Sequence, residues 1–189
     1  MRPTQRKLAF PPCSIICHGL CEIKITEYLR TRLRTGIRPF SKNNGKTSLE
    51  VQNLPYQLSG VPGMKNKAEF CKCYKLEKSE CDPFLAQHKI FALMDRDAAD
   101  STTWKAYKDG SLFKDLWFAP YVVPIYFEPD LDAVSEMAGY PIGKKGHKPE
   151  QIEKYLLGDR SYLRNLASVT NSANLILLLD YLKQRNFPI

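Results

Sequence analysis

Apolar residues along this chain fall into short unbroken runs separated by longer amphipathic stretches. Ser14-Ile15-Ile16-Cys17, Lys89-Ile90-Phe91-Ala92-Leu93-Met94 and Tyr121-Val122-Val123-Pro124-Ile125-Tyr126-Phe127 are three such runs. Each has strand length, and the continuous apolar character of the middle one predicts a strand covered on both faces, as in a parallel sheet. Ile37 to Phe40 predicts a further, shorter strand. Pro124 has no N–H to give to a ladder, which places its strand near an edge or a bend. Between these runs the spacing changes. Ile25, Leu29 and Leu33 form one stripe of a helix from about Lys24 to Thr35, stopped by Gly36. Thr47 with Glu50 fits a capping box that would open a second helix. Lys65 to Glu80, Thr103 to Leu116, Leu131 to Met137, Pro149 to Leu157 and Ala173 to Gln184 read as further helices, with Pro149 suited to a first helical position. Strands alternating with helices predict an α/β fold, a mainly parallel central sheet flanked by helices. Residues 1–12 read as a basic N-terminal arm and residues 13–189 as a single domain, helical from about residue 149.

Length and composition narrow this picture. A chain of 189 residues, 43% hydrophobic and 25% charged, is long enough for a full core and too apolar for wholesale disorder. The longest aliphatic stretch, Leu175 to Leu179, is far too short to span a bilayer. Arg2, Arg6 and Lys7 before Leu8-Ala9-Phe10 resemble a secretory signal, but Pro11, Pro12 and His18 interrupt the apolar segment, so the expected location is cytoplasmic. The net charge is +8, and residues 1–48 carry all of that excess. Concentrated positive charge favours polyanionic partners such as DNA or RNA.

The candidate chemistry lies where strands end. Glu22 follows the first strand, Asp95-Arg96-Asp97 closes the middle one and Glu128 closes the Tyr121–Phe127 run. In open α/β sheets the carboxyl ends of the strands share one edge, and ligands bind there. Acids from distant parts of the chain would meet at that edge, and such a group is commonly neutralised by a divalent cation with oxygen ligands. Each acid by itself is also an ordinary helix cap, a role open to Asp100 or Ser101 as well.

Gly19-Leu20-Cys21-Glu22, Asp95-Arg96-Asp97 and Phe127-Glu128, in this order and spacing, resemble the Toprim superfamily. The nearest branches are the RloB-like proteins and the nuclease half of OLD-family proteins. The resemblance covers most of residues 13–157. It implies a Toprim-like, Rossmann-like fold and a Mg²⁺-dependent (or Mn²⁺-dependent) nuclease or phosphodiesterase, with a link to phage defence. It also implies Glu22, Asp95, Asp97 and Glu128 as metal ligands, with Glu22, Asp95 and Asp97 catalytic. The family usually has a second Glu immediately before the turn glycine, and this chain has His18 there. That departure supports an alternative, a Toprim-like module that binds nucleic acid, or a separate ATPase partner, without cleaving. Hydrolysis of a small cyclic oligonucleotide is a third option on the same scaffold, and homodimerisation is open.

Gly143-Lys144-Lys145-Gly146-His147-Lys148 is a basic, glycine-flanked segment before a helix. It suits phosphate contact, or Lys145 placed near a leaving oxygen. The resemblance to OLD-type nucleases adds weight to Lys144 or Lys145. Gly45-Lys46-Thr47 is not a P-loop, since Phe40 occupies the position where that motif needs glycine. Cys71, Cys73 and Cys81, followed by His88, lack the second C-x2-4-C hook usual for structural zinc.

Overall fold

The computed structural model describes residues 13–143 and 148–185. The basic arm and the Lys144 and Lys145 positions lie outside these described residues.

Four strands form one sheet: β1 (Cys13–Cys17), β2 (Arg38–Phe40), β3 (Lys89–Asp95) and β4 (Val122–Phe127). Their order is β2-β1-β3-β4 and every pairing is parallel. Side chains alternate across the pleat, and both faces are buried. Cys13, Ile15, Cys17, Phe91, Leu93, Ile125 and Phe127 face one core. That core is closed by α1 (Leu20–Arg32), α6 (Leu131–Met137), α7 (Lys148–Gly158), α8 (Tyr162–Ser168) and α9 (Ile176–Gln184). Ile16, Ile90, Ala92 and Met94 face the other, covered by α2 (Leu54–Ser59), α3 (Lys67–Cys73), α4 (Lys78–Leu85) and α5 (Ser101–Lys108). The expected α/β architecture with a parallel sheet flanked by helices is therefore present.

Several helix boundaries differ from the expectation, each for a local reason. The first helix starts at Leu20 rather than Lys24, because the Gly19 N–H donates to Glu22 Oε2 at 2.7 Å and closes the first turn. It ends at Arg32, and Arg34 rather than Gly36 takes the left-handed conformation, with φ of 48°. Thr47 opens no helix, and Glu50 precedes only a single 3-10 turn, Val51–Asn53. The Thr47 hydroxyl instead accepts from Asn43 Nδ2 at 2.9 Å, and the next α-helix waits until Leu54. Lys65 to Glu80 is two helices rather than one, broken at Tyr74 and Lys75, where Lys75 has φ of 55°. The helix expected from Thr103 to Leu116 stops at Lys108, and Gly110 with φ of 82° turns the chain. Helix α8 lies within the stretch expected to be helical from about residue 149, between the two helices that the pattern delimits there.

The connections set the position of the site. Helix α1 returns the chain from β1 to β2 on one face, and the long segment after β2 crosses to β3 on the other side of β1. The strand order thus reverses between β1 and β3, and the crevice beyond their carboxyl ends is where doubly wound sheets bind ligands.

β4 is an edge strand, as Pro124 requires. The segment 172–174 covers that edge. Glu128 N–H donates to Ser172 O at 2.7 Å, Phe127 bridges antiparallel to Ala173, and Asn174 closes the pattern. Asn174 Oδ1 accepts from Tyr126 N–H at 2.8 Å, and its Nδ2 donates to Pro124 O at 2.9 Å. One amide side chain thus does the work of an added strand and protects the edge. Asn174→Ala should leave both backbone groups unpaired and cost about 2 kcal/mol. Asn174→Gln should recover only part of it, as chemical denaturation would measure.

Candidate metal centre

His18 directly follows β1, and its N–H donates to Leu93 O at 3.0 Å, which holds the β1 exit against β3. Asp95 is the last residue of β3. Asp97 lies two residues on, with φ of 44°, a left-handed conformation that aspartate tolerates better than most side chains. The backbone turn brings Asp97 Oδ2 to 3.3 Å from His18 Nε2. His18, Asp95 and Asp97 each offer a ligand atom, all within 4.8 Å of one another. They come from the two strands that flank the reversal point.

Glu22 stands beside this group rather than within it. Its side chain is buried, at 1% exposure, and its Oε2 is engaged by Gly19 N–H. Burial pushes its carboxyl above the ordinary range, offset by the His18 charge and by hydrogen bonds from the Gly19 and Glu22 backbone. Asp95 is raised well above its ordinary range. Burial is the largest cause, and repulsion from Glu22, Asp97 and Asp130 adds to it. The Leu131 N–H, which donates to Asp95 Oδ1 at 3.0 Å, only partly compensates. Negative charge is therefore crowded and incompletely neutralised here. His18 Nδ1 is buried and has no hydrogen-bond partner among the described residues, an uncommon condition for a buried polar atom.

Glu128 is placed differently from Asp95 and Asp97. Arg96 donates to its Oε1 at 2.8 Å and Lys108 to its Oε2 at 3.1 Å, so both oxygens are held by cations. It is absent from the group of three. Asp100 takes the expected capping role, accepting from Thr102 N–H at 2.8 Å and Thr103 N–H at 2.9 Å.

The sequence pattern did not single out Asp130 and Asp132. Asp130 caps α6 by accepting from Ala133 N–H at 2.8 Å, and it adds to the charge felt by Asp95. Asp132 pairs with Lys148, the first residue of α7. Lys148 is the described end of the basic segment that contains Lys144 and Lys145, and it brings a positive charge near Cys21 and Asp130. An N-cap aspartate before Leu131 was the available signal for Asp130; no local signal pairs Asp132 with a residue 16 positions away.

Cys71, Cys73, Cys81 and His88 form no group of three potential ligands among the described residues. His88 Nε2 lies 2.8 Å from the Ser14 hydroxyl, and its ring stacks on Phe84. Among the described residues no helix is long and apolar enough to cross a membrane. A scan against protein-family models found no match, and neither did searches of curated proteins and of solved structures.

The raised carboxyls fix a sign for pH dependence. The native state binds protons at Glu22 and Asp95 more tightly than the unfolded chain does, so their contribution to stability falls as pH rises above the ordinary carboxylate range. Without divalent metal, the melting temperature should rise as pH is lowered from about 7.5 to about 5.5. Asp100, held down to about 2 chiefly by Thr103, acts in the opposite sense only at lower pH. Asp95→Asn keeps an acceptor for Leu131 N–H and removes the charge. It should stabilise the metal-free protein at neutral pH, raising its melting temperature, and flatten the pH response. Differential scanning calorimetry in a chelator measures both effects.

Proposed function

We propose that this protein is a metal-dependent phosphodiesterase or nuclease of Toprim type, with His18, Asp95 and Asp97 as its metal ligands. The observation that supports this most is the meeting of those three side chains at the reversal point of the sheet. The donor set fits a divalent cation, since two carboxylates crowd together with an imidazole able to donate a nitrogen, and repulsion from Glu22, Asp97 and Asp130 adds to the cost of ionising Asp95. Such an ion supplies Lewis acidity and lowers the pKa of a bound water. One nitrogen donor in place of an all-oxygen set favours Mn²⁺ over Mg²⁺.

The chain's own groups then have separable roles. Asp95 is fixed by Leu131 N–H, so one carboxylate oxygen is oriented before any ligand arrives. Glu22 holds the Gly19 turn and adds negative charge behind the ligands. Helix α1 starts between His18 and Glu22, and its amino-terminal dipole favours a phosphate there, while Lys148 at the start of α7 is near Cys21. Lys148 adds a cation that can contact a phosphate oxygen if its pairing with Asp132 exchanges.

A second reading is a binding module without catalysis. The 3.3 Å contact between His18 and Asp97 favours it, because the two groups satisfy each other without an ion.

Cleavage of labelled DNA, RNA and cyclic dinucleotides with Mn²⁺ or Mg²⁺ tests both. Hydrolysis should be faster with Mn²⁺. Asp97→Asn should reduce it by about 100-fold or more, beyond the range typical of groups that merely support a ligand. His18→Glu should shift the preference back toward Mg²⁺. Binding of a substrate that neither wild type nor Asp97→Asn cleaves, with either metal, would establish the module instead.

A further inference from the structure

Helices α1 and α7 lie side by side and run in the same direction. Lys148 at the start of α7 is near Cys21 at the start of α1. One turn on, Lys24 Nζ is 3.0 Å from Glu153. Further along, Tyr28 faces Leu156 and Leu157 across a cavity, and Arg32 faces Arg160 beyond the end of α7. The cavity between the helices has a volume of about 530 Å³. A second one of about 230 Å³ adjoins it, sharing Tyr28, Arg32 and Arg160 and adding Leu163 and Arg164. Together they line the stretch from Lys24 to Arg34, beyond the first turn of α1 that carries Glu22.

The groove has two kinds of lining. Its apolar and aromatic lining comes from Tyr28, the buried Leu156 and Leu157, which is 75% exposed. Its far end is cationic, with Arg32, Arg34, Arg160 and Arg164. Glu27 and Glu153 are the acids on its wall, and Glu153 is neutralised by Lys24. Among the described residues Arg32, Arg34 and Arg160 form no ion pair, so their charge is available. From Glu22 to Arg32 along the helix is about 15 Å at 1.5 Å per residue. A few nucleotides of extended strand cover that distance.

We infer that the α1–α7 groove holds a single-stranded nucleic acid flank whose scissile phosphate lies at the acidic group, with Arg32 and Arg160 clamping its backbone at the far end. This inference rests on the phosphodiesterase reading for its direction. Single-strand tracks combine stacking surfaces with backbone cations, and this groove has both. A duplex presents its bases edge-on inside grooves and has no use for an apolar lining.

Fluorescence anisotropy in a chelator tests the groove separately from cleavage. The probes are a labelled oligothymidine of about twelve residues and a hairpin duplex with equal phosphates. Arg32→Glu with Arg160→Glu should weaken oligothymidine binding more than about tenfold and reduce the salt slope by about 1.4, near 0.7 per lost phosphate contact. Tyr28→Ala should weaken binding by severalfold and leave the salt slope unchanged. Circular dichroism melting confirms that each variant is folded. Undiminished binding by the arginine variant overturns the inference, as does tighter binding of the hairpin or equal displacement by polyglutamate. The two readings fail separately. Arginine-dependent single-strand binding without any cleavage leaves the groove and removes the nuclease. Cleavage that needs Asp97 but ignores both arginines does the reverse.

Discussion

Like charges held where water reaches them poorly repel one another, and that repulsion shapes the carboxyl edge of this sheet. Burial already raises Glu22 and Asp95, and each adds to the cost of ionising its neighbours. The surrounding backbone answers with N–H groups, from Gly19 to Glu22 and from Leu131 to Asp95. Two neutral donors do not offset the charge of a buried Glu22 and a half-buried Asp95 with Asp97 beside them. A fold that keeps such an arrangement holds a destabilised edge, and destabilised edges are commonly retained where a ligand relieves them.

The fate of Glu128 sharpens this point. It follows a strand just as Asp95 does, yet its charge is fully answered by Arg96 and Lys108. An acid with two cationic partners has no electrostatic need for an ion. The contrast between Glu128 and Asp95 separates a structural ion-pair network from an unrelieved acidic group, although both end apolar strands.

The sheet was legible because three continuous apolar runs have no other economical explanation than strands buried on both faces. Pro124 pointed to an edge or a bend because it has no N–H to give to a ladder, and the strand lies at the edge. What sequence could not carry was anything decided by backbone turns or distant partners. The left-handed conformation of Asp97, which turns its carboxylate toward His18, leaves no trace in composition. Nor does the Asn174 side chain that completes β4 from 50 residues away. The break at Lys75 was hidden for the same reason: a lysine in a polar stretch propagates a helix by its propensity, and tertiary packing overrode it. His18 was visible as a departure from the Toprim pattern, but only its geometry makes it a member of the group.

Helix α1 unites the separate parts of this reading. Its first turn carries Glu22 and borders the acidic group, its middle buries Ile25 and Leu29 against the sheet, and its last turn presents Arg32 to the groove. A rigid helix fixes the distance between an acidic end and a basic end, which a loop could not do. The polarity also runs in a useful sense. The amino terminus, where the helix dipole is positive, faces the carboxylates, and the arginines stand at the carboxyl terminus, where that dipole is negative. Each end therefore has its local field partly balanced, and the helix loses little by holding opposite charges far apart. A phosphate chain laid along it would meet cations where it enters and the acidic group where it stops, an order that follows from the direction in which β1 hands the chain to α1.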